Sequence, residues 1–288
     1  LSRRDEALMK KTTSDHAHRG SARAEAGGGE LARELGHARA AALEAGEILR
    51  RYFRDHGYEV ASKGRDNPVT SADLEADAAL REHLSSAFPD YGWLSEETAD
   101  SAERLSRRRV WIVDPLDGTK EFIKGIPEFV VAIALAEDGV PVLGVTYNPI
   151  KRELFWAAHG AGCYLDDAPV HVTAAPGLAG SVVLASRSET ARGEWKAYRD
   201  QFTAHPIGSV AYKLALVAAG KADGTFTASP KSEWDIASGA ALLAEAGGVM
   251  TDIHGHPIRF NRKQVKLDGF VAAGPALHAA LSKLVIRK

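Results

Sequence analysis

The sequence predicts a mixed fold: an α+β first half built on a large antiparallel sheet, followed by an α/β second half. Three features point to it. Residues 129–136 form one continuous apolar run, Glu137-Asp138-Gly139 supplies a hairpin turn, and residues 142–147 return as a strand. Beyond about residue 179, short apolar runs alternate with helical stretches, as in α/β units. Between the first helices and the meander, Val110-Trp111-Ile112-Val113 reads as a buried strand running straight into Asp114-Pro115-Leu116-Asp117-Gly118-Thr119.

Taken in order, residues 1–30 are polar and rich in Arg, Lys, Ser, Ala and Gly, which predicts a flexible tail, or an extension of the first helix if something packs on it. His16 and His18 lie in it, and a mobile tail is a poor metal site. From about Leu31 to Phe53, Leu35, Ala38, Ala42, Ala45 and Leu49 recur in steps of three and four, the spacing of a helix face. Residues 59–69 read as a short strand and loop. Asn67-Pro68-Val69-Thr70-Ser71-Ala72-Asp73 leads into a second helix, with Leu74, Ala78, Leu80 and Leu84 expected towards the core. Asp73 stands at its start, where an acid ordinarily caps. Trp93-Leu94-Ser95-Glu96-Glu97-Thr98 is an apolar lead into paired acids.

Pro115 has no N–H for a ladder, so the central strand is expected to stop near Asp114. Residues 153–158 add a strand and Gly160-Ala161-Gly162 a turn. In the second half, strands are expected over 182–185, 222–227, 250–253 and 269–273. Helices are expected over 190–202, 210–219, 234–246 and about 275–285, and His205-Pro206-Ile207-Gly208-Ser209 reads as a lead into the second of these. The organisation expected is a tail (1–30), an α+β domain carrying most acids (31–178) and an α/β domain completing the site (179–288).

The 288 residues exceed one small core, and 45% hydrophobic with 26% charged residues is ordinary globular composition. With 36 basic against 38 acidic residues there is no basic stripe, so nucleic-acid binding is not expected. No apolar run approaches the ~20 residues of a bilayer span, so no integral membrane segment is expected. Cys163 is the sole cysteine, which excludes an intrachain disulfide and suits a reducing cytoplasm. Its Gly162-Cys163-Tyr164 setting reads as packing.

The chemistry gathers at the strand end. Asp114 and Asp117 repel unless a cation lies between them, and hard divalent ions such as magnesium take oxygen ligands, to which Leu116 can add a carbonyl. Gly118 permits close backbone approach and Thr119 brings a hydroxyl. Asp-Pro and Asp-Gly are also ordinary turn pairs, so a plain surface turn is the alternative. An aspartyl-phosphate loop is a second, but its acids are one residue apart, whereas two residues separate Asp114 from Asp117. Further acids stand at loop-to-helix or strand-end positions: Asp73, Glu96 and Asp235. Converged on one cleft they would hold roughly two to three magnesium ions, a set suited to phosphoryl transfer to water.

Four blocks carry a family resemblance: Val69-Thr70-Ser71-Ala72-Asp73, Ser95-Glu96-Glu97, residues 111–119, and Trp234-Asp235-Ile236-Ala237 with Glu245-Ala246-Gly247-Gly248. In order and separation they resemble the magnesium-dependent, lithium-sensitive inositol monophosphatase superfamily, over roughly residues 35–285. The resemblance implies a layered α-β-α-β-α sandwich of the sugar-phosphatase type, as monomer or homodimer. It implies that Glu96, Asp114 and the Leu116 carbonyl bind one Mg2+, that Asp114, Asp117 and Asp235 bind a second, and that Asp73 and Glu96 reach a third through water. Gly118 and Thr119 would present N–H groups to the substrate phosphate, and Thr119 paired with Asp73 would deprotonate the attacking water.

Within the superfamily, Asp117-Gly118-Thr119-Lys120-Glu121-Phe122-Ile123, Gly208-Ser209 and residues 213–218 look most like CysQ-type 3'(2'),5'-bisphosphate nucleotidases. The stretch from Ser209 to Lys213 is one residue longer than in many of these. Inositol monophosphatases carry a Glu seven residues before the Asp of Trp-Asp, and here that position is Ala228. Lys213 and Lys231 are candidates to meet a second substrate phosphate. The expected activity is removal of the 3'-phosphate of adenosine 3',5'-bisphosphate, the alternative an inositol-1-phosphate or broader sugar-phosphate phosphatase. A non-enzymatic metal-binding regulatory module is disfavoured because every catalytic position of the family pattern is filled.

Overall fold

The computed structural model describes residues 29–55, 57–62 and 68–286. Residues 1–28 of the expected tail, with His16 and His18, and Asn67 lie outside the described residues.

Helix α1 (Ala32–Asp55) buries the face set by Leu35, Ala38, Ala42, Ala45 and Leu49, as the spacing predicts. Strands β1 (Val60–Ser62) and β2 (Pro68–Thr70) form a small antiparallel pair, and Thr70 then caps α2 (Ser71–Ala87). The face expected for α2 is wrong in part. Leu74 and Ala78 are exposed, and the helix packs through Ala72, Ala76, Leu80 and Leu84. The cause is polar: Asp73 and Asp77 are buried on the packed side, Asp77 accepting from the hydroxyls of Ser95 and Thr98. Acids with partners inside set the rotation of the helix, and Leu74 is left outside.

A seven-stranded sheet follows in chain order: β3 (Gly92–Ser95), β4 (Arg109–Asp117), β5 (Val130–Glu137), β6 (Val140–Asn148), β7 (Glu153–Ala158), β8 (Gly162–Leu165) and β9 (Ala168–Pro169). Only β3 and β4 run parallel; a 3-10 turn at Ala102–Ser106 lies between them. Strand β4 does not stop at Asp114 as expected. Its pairing with β5 steps from Asp114–Ala132 to Asp117–Val130, so one extra residue is absorbed in a bulge at Pro115-Leu116. A bulge is where a strand tolerates a residue without an N–H. The short helix α3 (Thr119–Ile123) comes next.

The second half contributes β10 (Val182–Ser186), α4 (Arg187–Ala191), β11 (Thr203–Ile207), α5 (Val210–Ala218), β12 (Gly224–Thr227), β13 (Lys231–Ser232), α6 (Glu233–Glu245), β14 (Val249–Asp252), β15 (Lys266–Leu267), β16 (Phe270–Ala273) and α7 (Pro275–Ile286). Its five-stranded sheet has the order β11-β10-β12-β16-β14, with β10 parallel to both neighbours and β16 antiparallel to both of its own. The single helix expected over 190–202 is instead α4 and a 3-10 turn (Glu194–Tyr198), separated at Gly193, which takes φ 81°. Residues 203–207, expected as a lead, form strand β11. Pro206 is tolerated there because β11 is an edge.

The layers run α-β-α-β-α. Helices α1 and α2 cover one face of the large sheet. Its other face packs on α5 and α6, which also meet one face of the second sheet. The far face of that sheet carries α7 and an aromatic group of Trp195, Tyr198, Phe202 and Phe226. Both sheets therefore share the α5–α6 layer, and the end of β4 opens towards it. Among the described residues, no helix is long and apolar enough to cross a membrane.

Candidate active site

The site forms where β4, the loop after β3, and the first turns of α2 and α6 meet. Asp114 is 1% exposed, with Oδ1 accepting from the Leu116 N–H at 3.0 Å across the bulge. Glu96 follows β3, and its N–H donates to the Val113 carbonyl at 3.3 Å, which holds it beside β4. Asp235 lies in the first turn of α6, where it closes a capping box by accepting from the Ser232 N–H at 2.7 Å. One oxygen from each of Glu96, Asp114 and Asp235 lies within 4.8 Å of the others.

Asp117 turns its Oδ2 to the second half, accepting from Ser209 Oγ and the Ala211 N–H, each at 2.6 Å. Asp73 is both cap and site residue. Its Oδ2 accepts from the N–H and hydroxyl of Thr70 at 2.8 and 2.6 Å. Thr119 Oγ1 stands 3.1 Å from Asp73 Oδ1 and 3.2 Å from the Leu116 carbonyl, and its single proton serves one at a time.

The electrostatics explain why such a cluster calls for a cation. Burial, then Glu96, Asp117, Asp235 and Asp73, push the Asp114 carboxyl well above its ordinary value. Asp235 is raised to about 8 by burial, then by Asp117 and Glu96. Burial raises Asp117 despite its bonds to Ser209 and Ala211, and raises Asp73 despite those from Thr70 and Thr119. Without a cation the ionised form of each of these acids is disfavoured. An all-oxygen set of this kind, carboxylates plus a backbone carbonyl, fits hard divalent ions.

The acids open into a cleft of about 440 Å³ lined by Glu96, Leu116, Asp117, Gly118, Thr119, Lys213, Lys231 and Asp235, among others. Gly118 takes φ 107°, and a Cβ there would lie 2.8 Å from the Glu128 carbonyl oxygen, so no other residue fits the turn. Lys213, on α5, is 4% exposed and donates from Nζ to the Ser209 carbonyl at 3.0 Å. Burial lowers it to about 8, opposed by Asp117 and Glu189. Lys231 Nζ lies 3.4 Å from the Pro230 carbonyl and 3.8 Å from Glu189 Oε1. Two residues expected from sequence, Asp73 and Asp114, are buried and do not line the cleft. Asp73 meets Thr119, and Asp114 groups with Glu96 and Asp235, partners that all line it; Ala228 is absent from the lining.

Sequence reasoning missed several cleft residues. Ser209, a bond donor to Asp117, adopts φ 57°, and Glu121, Arg187 and Lys266 also line the cleft. Arg187 forms a two-pronged ion pair with Glu128 at 2.6 Å on each arm, and Glu128 accepts from the Gly208 N–H at 2.7 Å. Gly208-Ser209 stood out as a pattern in the sequence, while nothing in the sequence marks Arg187 or Glu128.

The family model for the inositol monophosphatase family matches residues 30–287. An inositol-1-monophosphatase of Mesorhizobium japonicum is 36% identical over 254 residues, covering 85% of this chain and 93% of its own. A 3'(2'),5'-bisphosphate nucleotidase CysQ of Salmonella typhimurium is 37% identical over 242 residues, covering 82% and 93%. The crystal structure of the extragenic suppressor protein suhB from Bartonella henselae superposes with a TM-score of 0.77 at 32% identity, covering 87% of this chain and 97% of that one. The chain belongs to the inositol monophosphatase family, and it is a Mg2+-dependent phosphoric monoester hydrolase. The likeness to the nucleotidase alone does not hold: relatives named for inositol phosphate match it equally well.

Proposed function

We propose that the enzyme removes the 3'-phosphate of adenosine 3',5'-bisphosphate, giving AMP and phosphate. The observation that carries this reading is the pair Lys213 and Lys231 in the same cleft as the acids. A substrate with two phosphates presents one to the acidic end and one to these lysines. Burial lowers Lys213 to about 8, and Asp117 and Glu189 beside it favour its charged form. Ala228 removes the acid that would bond an inositol hydroxyl, and a site without that partner loses discrimination for it.

Glu96, Asp114 and the Leu116 carbonyl would hold one Mg2+, and Asp114, Asp117 and Asp235 a second. Asp73 with Glu96 would reach a third through water, and lithium would inhibit by competing at these positions. Magnesium when bound would supply Lewis-acid charge at the phosphate and raise the acidity of the attacking water. The chain's own groups do the rest. The N–H groups of Gly118 and Thr119 orient the phosphate, and the Thr119 hydroxyl passes the proton of the attacking water to Asp73, whose raised affinity suits that role. Residues 31–178 supply all of these except Asp235, Lys213 and Lys231, which come from 179–288. The lone cysteine suits a cytoplasmic setting.

The second reading, an inositol-1-phosphate or broader sugar-phosphate phosphatase, is favoured by the 36% identity to the inositol-1-monophosphatase. Phosphate release from the two substrates, measured side by side with Mg2+ and with EDTA, decides between them. A preference for the bisphosphate of about tenfold, equivalent to ~1.4 kcal/mol, supports the nucleotidase. Preference for inositol-1-phosphate overturns it. An unchanged KM for the bisphosphate in Lys213→Ala and Lys231→Ala would remove the lysines from the argument.

A further inference from the structure

We propose that Arg104 and Glu233, which do not line the cleft, are positioning residues that set the separation of Glu96 from Asp235. This rests on reading those two acids as metal ligands. Glu96 and Asp235 come from opposite halves of the chain, one from the loop after β3 and the other from α6. No shared sheet ladder relates them.

Arg104 lies in the 3-10 turn Ala102–Ser106 and is 2% exposed. Its Nε and Nη2 donate to the two carboxylate oxygens of Asp100 at 2.6 and 2.9 Å, which anchors the loop that begins at Glu96. Nη1 donates to Asn261 Oδ1 at 2.7 Å and Nη2 to the Arg262 carbonyl at 3.0 Å. The contact is returned by Asn261 Nδ2, which donates to the Arg104 carbonyl at 3.0 Å.

Glu233 grips the same two residues from the other half. It is fully buried in the first turn of α6, two positions before Asp235. It accepts from the N–H groups of Asn261 and Arg262 at 2.6 and 3.0 Å and from Arg262 Nε at 3.2 Å. Asn261 takes φ 56°, the left-handed turn that Asn tolerates better than most residues. The strap 261–262 is therefore clamped between a buried guanidinium that bonds Asp100 in the loop after Glu96 and a buried carboxylate two positions before Asp235 on α6.

Two buried charges are an inefficient way to stabilise a fold, since apolar residues of similar volume often do as well or better. Their directional bonds do something apolar packing does not: they fix a distance. Magnesium demands near-ideal octahedral geometry, so a loosened pair of ligands weakens its binding. The defect would appear in metal affinity first, and excess metal would restore turnover.

The test uses the full-length enzyme with Arg104→Met, Glu233→Gln and Asn261→Gly, the last keeping the left-handed backbone and losing only the side-chain bonds to Arg104. Mg2+ binding is read by calorimetry, the Mg2+ dependence of phosphate release by titration, and the melting temperature in EDTA separately. The first two variants should bind Mg2+ about tenfold to a hundredfold more weakly, the range for outer partners of metal ligands. Their kcat at saturating Mg2+ should stay within about threefold. Asn261→Gly should shift in the same direction by less, and it keeps the test decisive if Arg104→Met does not fold. Variants that melt lower with unaltered Mg2+ affinity would reduce the strap to a stability element and overturn the proposal. If the wild-type chain bound no Mg2+, or Asp114→Asn bound it normally, the ligand reading itself would fall.

Discussion

Thr119 Oγ1 lies 3.1 Å from Asp73 Oδ1, joining the start of α3 to the first turn of α2. The pair joins a hydroxyl that lines the acidic cleft to a buried carboxyl with a raised proton affinity behind it. Thr119→Ala is expected to lower kcat by about a hundredfold to a thousandfold, within the usual range for a lost proton-transfer group. Thr119→Ser should retain most of the activity. Steady-state rates at saturating Mg2+ check both, and an Ala variant within threefold of wild type removes Thr119 from the chemistry.

Asp114→Asn separates function from stability. It should abolish Mg2+-dependent phosphate release, because Asp114 is the acid shared by both proposed metal positions. It should also raise the melting temperature in EDTA, since Asp114 is fully buried among four other acids that oppose its charge. A gain of about 1–3 kcal/mol is expected, because folding the metal-free wild type must either bury that charge or take up a proton to neutralise it. A fall in metal-free stability would show that the cluster is not strained by its own repulsion.

The metal-free enzyme should also lose stability as pH rises. Asp235 has a folded value of about 8, above its ordinary one, and Asp114 and Asp117 are raised too. A carboxyl raised in the folded state contributes stability that is complete below its unfolded value near 4 and lost as pH climbs through the folded one. The carboxylates held low by ion pairs, such as Glu128 and Glu153, change stability only on the acid side of that window. Melting in EDTA should therefore fall from about pH 5.5 to about pH 8, and Mg2+, which favours the ionised acids, should flatten the slope. Parallel curves with and without Mg2+ would contradict this.

Gly118→Ala should damage fold and site together. The residue takes φ 107° and its added methyl would meet the Glu128 carbonyl. A left-handed backbone alone costs a non-glycine residue about 1–2 kcal/mol. Denaturant unfolding should show at least that loss, with activity reduced beyond it because Thr119 is the next residue. An unchanged midpoint would mean that the turn relaxes freely.

The candidate site was legible because its residues cluster at element ends. Asp114 and Asp117 stand in the last stretch of an apolar strand, Thr119 opens the helix after it, and Asp73 and Asp235 lie in the first turns of two others. The helix face of α1 could be read from spacing because its packed side is apolar except at Glu34, near its start. That of α2 could not, because Asp73 and Asp77 turn inward to partners far along the chain. Pro115 and Pro206 misled for one reason: a missing N–H is compatible with a strand at a bulge or an edge, and position within a sheet is not written locally. The Arg104–Asn261–Glu233 clamp was invisible for the same cause, being made of contacts between distant segments.

The proline at Pro206 has a counterpart at Pro169, and the two stand on terminal strands of different sheets. Strand β9 has two residues and the opposite terminal strand, β3, has four. A sheet whose outer strands are short or interrupted by proline offers a poor template for another chain to extend. Growth of either sheet across a molecular boundary is thereby discouraged, both as a route to assembly and as a route to aggregation. Association of a second copy through helices or loops would leave each of these two sheets closed within one molecule.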